Sequence, residues 1–221
     1  MLSVMTKKAI VCFGDSNTWG FIPATEAERY PNDVRWPGVL ATELGDTGYR
    51  VLEEAQNGRT TVHDDPFETI DKNGSRHLPV VLESQKPIDL VIVMLGTNDL
   101  KTHFGQSADN IAHGAAELCE RIRSSDAGLH GSAPKVLLVS PPAVAPGDCP
   151  FGNLFDGAAE TSSGFAQAYQ MQAASRGLDL LDAAEHATCP TTDCIHLDSE
   201  GQRALGLAMS KKVQEVLRPS S

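Results

Sequence analysis

The sequence predicts a three-layer α/β/α fold in which a five-stranded parallel sheet carries helices on both faces, flavodoxin-like in outline. Three features carry this expectation. Short runs rich in Val, Ile and Leu occupy residues 9–13, 90–95, 136–139 and, more weakly, 178–181; continuous apolar runs of this length suit strands buried on both faces. Segments with helical periodicity alternate with these runs. At 221 residues the chain fits one domain, 1–221, large enough to bury a core without disulfide or metal staples.

In chain order, the strand at 9–13 is followed by a helix over 36–46 and by residues 50–55, a more polar strand that belongs near an edge. A helix over 76–85 precedes Pro87 and the strand at 90–95. A helix over 107–124 precedes Pro134 and the strand at 136–139, the prolines separating helix from strand. A helix over 155–176 ends at the Gly177 signal before the strand at 178–181, and Asp198 stands ready to cap a last helix over 199–217. Each crossover therefore holds a helix and is right-handed. Two longer irregular stretches, 21–35 and 141–154, are of a length that usually serves function or an interface.

Composition narrows the partners. Net charge is −11 and the basic residues are scattered, which disfavours nucleic acid and anionic membrane. The 41% apolar and 21% charged fractions are ordinary for a globular protein, and no apolar run approaches a membrane span. Lys7 and Lys8 lead straight into the first apolar run, too early for a secretory signal, so the expected location is the cytoplasm. The five cysteines are widely spaced without a CxxC, which suits reduced thiols; Cys189 and Cys194 are the pair that could bridge.

Ligands of an open parallel sheet bind beyond the carboxyl ends of its strands. Here those ends carry Gly14-Asp15-Ser16-Asn17, Asn57-Gly58-Arg59, Gly96-Thr97-Asn98-Asp99 and Asp193-Cys194-Ile195-His196. Each block alone is an ordinary turn or cap. Together, in this order at one rim, they supply a nucleophile, backbone and amide donors, and an acid–base pair.

This quartet resembles the conserved blocks of the SGNH (GDSL-like) hydrolases, with Ser16, Gly58, Asn98, Asp193 and His196 at the matching positions. The likeness covers nearly the whole chain. Phe13-Gly14-Asp15-Ser16-Asn17-Thr18-Trp19-Gly20, Asp33-Val34-Arg35-Trp36, Arg59-Thr60-Thr61, Asp64-Asp65-Pro66 and Met94-Leu95-Gly96-Thr97-Asn98-Asp99 are similar to the arylesterase and acyltransferase branch with perhydrolase activity. Asn17 departs from the Leu of the family nickname, at a position that is not catalytic in the family.

The resemblance implies a serine esterase for short-chain, acetyl esters, with transfer to alcohols or peroxide; a carbohydrate acetylesterase of the same family is the alternative. No cofactor or metal is implied. Ser16 needs a base, and His, which changes protonation near neutrality, is suited to be one. Asp193 would fix the tautomer of His196. The Ser16 and Gly58 N–H groups and the Asn98 amide would form the oxyanion hole, while Asp15 and Asp99 cap N–H groups behind it. Loop residues beside the blocks, Trp19, Ile22, Phe151, Leu154, Phe155 and Ile195, are candidates for the pocket wall. Apolar residues in the 21–35 stretch, Phe21, Ile22, Tyr30, Pro23 and Pro31, imply a homo-oligomer, as the matching insertion builds in related acyltransferases.

Two rivals use the same residues differently. A metal-dependent hydrolase would draw on His63-Asp64-Asp65 or on Cys189, Asp193, Cys194 and His196, although no spacing matches a closed zinc set. A flavodoxin-like binding module would use Asp15 and leave the Asp-x-x-His block without a role.

Overall fold

Side-chain alternation along the central strands decides the layering. Strand β1 (Lys8–Gly14) sends Val11 and Phe13 to one face and Ile10 and Cys12 to the other, and β3 (Leu90–Met94) splits Val91 and Val93 from Leu90, Ile92 and Met94 in the same way. One face packs on α3 (Gly74–Gln85), α4 (Ala108–Arg123) and α6 (Phe165–Arg176). The other packs on α2 (Trp36–Leu44) and α7 (Ser199–Val216), through Trp36, Leu40, Leu205, Met209 and Val213. The result is the three-layer α/β/α arrangement expected.

The computed structural model describes residues 7–45, 48–147 and 149–218. With β2 (Tyr49–Ala55), β4 (Lys135–Ser140) and β5 (Asp179–Asp182), the sheet has five strands in the order β2-β1-β3-β4-β5, all parallel. This is the flavodoxin order, and its switch point lies between β1 and β3. The polar β2 lies at an edge, half-buried, as its composition predicts.

Local signals account for most boundaries. Asp198 caps α7 by accepting from the Gly201 N–H, Ser107 caps α4, and Gly177 ends α6 at φ +61. The helix expected over 155–176 is instead α5 (Ala158–Ser162) and α6, split at Ser163-Gly164, with the one-turn 3₁₀ segment Gly152–Phe155 ahead of them. Ser and Gly are weak helix formers, and a Cβ on Gly164 would press within 3.2 Å of Ala108, so the break also lets α6 approach α4. Helix α2 stops at Leu44; position 46, included in the expected helix, lies outside the described residues, as do residues 1–6 ahead of the first strand and 148 in the second long loop. Cys189 and Cys194 form no disulfide. No helix of the described residues is long and apolar enough to cross a membrane.

Candidate active site

Ser16 opens a single helical turn, α1 (Ser16–Trp19), directly beyond β1. Asp15 holds that turn by accepting from the Asn17 N–H at 3.0 Å. The turn lies so close to the sheet that a Cβ on Gly14 would meet Thr18 Oγ1 at 2.0 Å and the Met94 carbonyl at 3.0 Å. Glycine is therefore required before the Asp-Ser pair.

His196 reaches Ser16 from the far end of the sequence. Its Nε2 lies 3.0 Å from Ser16 Oγ, and its Nδ1 lies 2.7 Å from Asp193 Oδ2. Asp193 Oδ1 accepts from the Ile195 and His196 N–H groups at 3.0 and 2.9 Å, and Oδ2 also from the Ala24 N–H at 3.3 Å. Burial alone would push the Asp193 carboxyl up; the bonds from the His196 ring and from the two loop N–H groups outweigh it and hold the carboxyl below its ordinary value. An ionised carboxylate only accepts, so Nδ1 carries the proton and Nε2 is left to accept from the Ser16 hydroxyl. All three side chains are buried.

Gly58 sits at φ +82 in the third position of a turn closed by the Arg59 N–H on the Gln56 carbonyl, the place where a type II turn needs a left-handed residue. Among the described residues, the Ser16 and Gly58 N–H groups meet no protein acceptor. Asn98 Nδ2 donates to the Arg59 carbonyl at 3.1 Å and has a long 3.4 Å contact with Asp15 Oδ2. The amide hydrogen not engaged by Arg59 is thus only weakly held. Behind it, Asp99 accepts from Thr61 N–H and Oγ1 and lies 2.9 Å from His63 Nδ1, tying the Gly58 segment to the end of β3. Both Asp15 and Asp99 therefore hold N–H groups, as their sequence positions suggest.

Burial pushes the Asp15 carboxyl up from 3.8 to about 6, against the bond from Asn17 and the charges of His196 and Arg59. Arg59 lies beneath, its guanidinium 4.3 Å over the Phe13 ring and its Nη1 donating to the Gly14 and Glu54 carbonyls. Because the folded chain holds the Asp15 proton more tightly than the unfolded chain, the contribution to stability is full below about pH 4 and is lost as pH rises through about 6. Asp15→Asn, neutral at every pH and still able to cap Asn17, is expected to flatten that part of the stability profile, a difference on the order of 2 kcal/mol between pH 4 and pH 7. Urea midpoints of both proteins across this range check it; parallel profiles would refute the assignment.

An aromatic wall surrounds the imidazole. Phe21 stacks on His196 at 4.2 Å between ring centroids and 19° between planes, and Phe151 meets it edge-on at 6.0 Å. Trp19 lies 6.3 Å from Phe21, and Phe155 stands behind Phe151 at 5.9 Å. Of the six residues expected to line a pocket, Trp19, Phe151 and Phe155 join this wall and Ile195 is buried in the core beside it; Ile22 is half-buried, and Leu154 is exposed. Phe155 also lines a cavity of about 290 Å³ with Val144, Ala145, Cys149, Asn153 and Asp156. Phe21, one of the residues expected from the sequence to contact another copy of the chain, is partly exposed and stacks on His196 within the chain. Arg29 and Arg35 converge on Glu53 of β2 and pin this loop over the site, Arg29 also covering the Trp19 ring at 4.9 Å.

The residues of the metal reading are engaged otherwise. Asp64 meets Arg76 and Asn73, Asp65 meets Lys101 and His103, and the Cys189 thiol donates to the Ile195 carbonyl. Among the described residues no group of three or more His, Cys, Asp or Glu is placed to hold a metal.

The sequence from residue 12 to 204 matches the GDSL-like lipase/acylhydrolase family. No curated protein matches the chain. Among solved structures, the native Mycobacterium smegmatis aryl esterase is 39% identical over 95% of this chain and 100% of its own, with a TM-score of 0.90. Est24, a carbohydrate acetylesterase from Sinorhizobium meliloti, is 40% identical over 96% of this chain and 100% of its own, with a TM-score of 0.89. With the family pattern spanning most of the sequence, the chain belongs to the GDSL-like lipase/acylhydrolase family, the SGNH hydrolases.

Proposed function

We propose that this chain is a serine esterase that cleaves short-chain esters, acetates foremost, through an acyl-Ser16 intermediate. The observation that carries the reading is the relay from Asp193 through His196 to Ser16, at 2.7 and 3.0 Å. Ser16 Oγ attacks the ester carbonyl as its proton passes to His196 Nε2, and Asp193 stabilises the imidazolium. Negative charge on the carbonyl oxygen is met by the Ser16 and Gly58 N–H groups and by the Asn98 amide. The imidazolium then protonates the departing alkoxide. Water, deprotonated by the same imidazole, attacks the acyl-enzyme, and collapse of the second tetrahedral intermediate returns Ser16 and releases the acid.

The rings of Phe21 and Phe151 beside His196 favour a small acyl group. In a p-nitrophenyl ester series, acetate is expected to give the highest kcat/KM, and a fluorophosphonate probe is expected to label Ser16. Preference for eight carbons or more would contradict the pocket reading, and labelling elsewhere would contradict the nucleophile.

The likeness to the Sinorhizobium acetylesterase supports a second reading, in which the alcohol part of the ester is a sugar. A third extension concerns the acceptor. The half-buried Phe21 ring of loop 21–35 stacks on the imidazole, so an alcohol less polar than water would compete well for the acyl group, and peroxide would use the same site. The remaining apolar side chains of this loop would also join copies of the chain into a homo-oligomer. Vinyl acetate with benzyl alcohol is expected to yield benzyl acetate at early times, and light scattering at micromolar concentration a mass above one chain. Acetic acid alone, or a monomer mass, would remove the corresponding extension.

A further inference from the structure

We infer that Asn17 is a positioning residue for His196, setting the base against the nucleophile. This rests on the reading of His196 as the base. Asn17 is buried one residue after Ser16, and its carboxamide brackets the histidine: Nδ2 donates to the Ile195 carbonyl at 3.0 Å, and Oδ1 accepts from the Leu197 N–H at 2.9 Å. These are the carbonyl and N–H groups of the two residues that flank His196. Both ends of its backbone are therefore fastened to the turn that carries Ser16.

Three further residues make the fastening rigid. Asp15 accepts from the Asn17 N–H, so the clamp and the nucleophile share one capped turn. Gln202 Nε2 donates to the Asn17 carbonyl at 3.0 Å, while Gln202 Oε1 accepts from the Trp36 N–H at 2.9 Å, joining the turn to α7 and α2. The Cys189 thiol supplies a second donor to the Ile195 carbonyl at 3.0 Å. The loop so held includes Cys194 at φ +69, a left-handed conformation that a non-glycine residue adopts only when its surroundings impose it. The Cys194 N–H donates to the Pro190 carbonyl and its carbonyl accepts from the Ala145 N–H, while Asp193 and Asn17 hold the residues that follow it. A rotation of the loop that carried the His196 backbone away from Ser16 would stretch the bonds from Asn17 to Ile195 and Leu197.

Leu, the residue of the family nickname at this position, is close to Asn in size but can neither donate to Ile195 nor accept from Leu197. Misplacement of a reacting group by about 1 Å costs on the order of 10²-fold in rate. Asn17→Leu and Asn17→Ala are therefore expected to lower kcat for p-nitrophenyl acetate by about 10²-fold with KM changed less than about twofold. In a His196→Ala background neither substitution should lower the residual rate further, because no base remains to be misplaced. Thermal melts of all variants accompany the kinetics. Wild-type kcat in Asn17→Leu would overturn the inference, and so would an equal fold-loss in both backgrounds or a loss with Ala alone, the mark of missing volume. Wild-type turnover in His196→Ala itself would instead refute the reading of His196 on which the clamp depends.

Discussion

Ser16→Ala and His196→Ala are each expected to lower kcat for p-nitrophenyl acetate by about 10⁴- to 10⁶-fold, the range seen when one member of such a relay is removed. The size follows from how the members depend on one another. Without the 3.0 Å contact between His196 Nε2 and Ser16 Oγ, the hydroxyl keeps its proton; without the hydroxyl, the imidazole has no nucleophile to deprotonate. Combining the two substitutions should therefore cost hardly more than either alone. The fold should survive both changes, since Ser16→Ala removes one side-chain oxygen and the Asp193 loop keeps its bonds to the Ile195 and residue-196 N–H groups. Steady-state kinetics with far-UV circular dichroism check this. Wild-type turnover in a folded Ser16→Ala variant would end the serine mechanism.

Asn98→Ala is expected to cost about 3 kcal/mol of transition-state stabilisation, roughly 10²-fold in kcat, with a small change in KM. The amide meets charge that develops on the carbonyl oxygen during attack, so its loss is felt in the transition state more than in the bound ester. Two other donors, the N–H groups of Ser16 and Gly58, would remain, which is why the expected loss is smaller than for the nucleophile. Some stability should also go, about 1 kcal/mol, because the buried Arg59 carbonyl loses its partner. An unchanged kcat with a raised KM would move Asn98 from the oxyanion to ground-state binding.

What the sequence discloses is what local chemistry determines. The buried strands are readable because β1 and β3 are apolar on both faces, and the more polar β2 because one side of it lies at the sheet edge. The blocks around Ser16, Gly58, Asn98 and Asp193–His196 are readable because each carries its own turn chemistry within a few residues. Contacts between blocks are not. Nothing near Asn17 announces partners at Ile195 and Leu197, 178 and 180 positions away, and nothing near Phe21 announces a stacked imidazole. The aromatic character of Phe21 was visible, but not the direction of its ring. The break at Ser163-Gly164 did have a local signal, and helical periodicity on either side concealed it.

The separation of Ser16 from His196 along the chain bears on the order of events in folding. Their contact closes a span of 180 positions, whereas the pairing of β1 with β2 and β3 closes much shorter ones. Long spans are entropically the slowest to close, and here closure also requires α7 to seat on α2 and Gln202 to reach the Asn17 carbonyl. During renaturation, ellipticity should therefore return before esterase turnover does. A chain stalled before its last helix docks would carry a formed sheet and an exposed Ser16 with no base beside it. Catalytic competence thus reports the docking of the segment that carries His196 and α7, and a nascent chain stays chemically inert until that segment is in place.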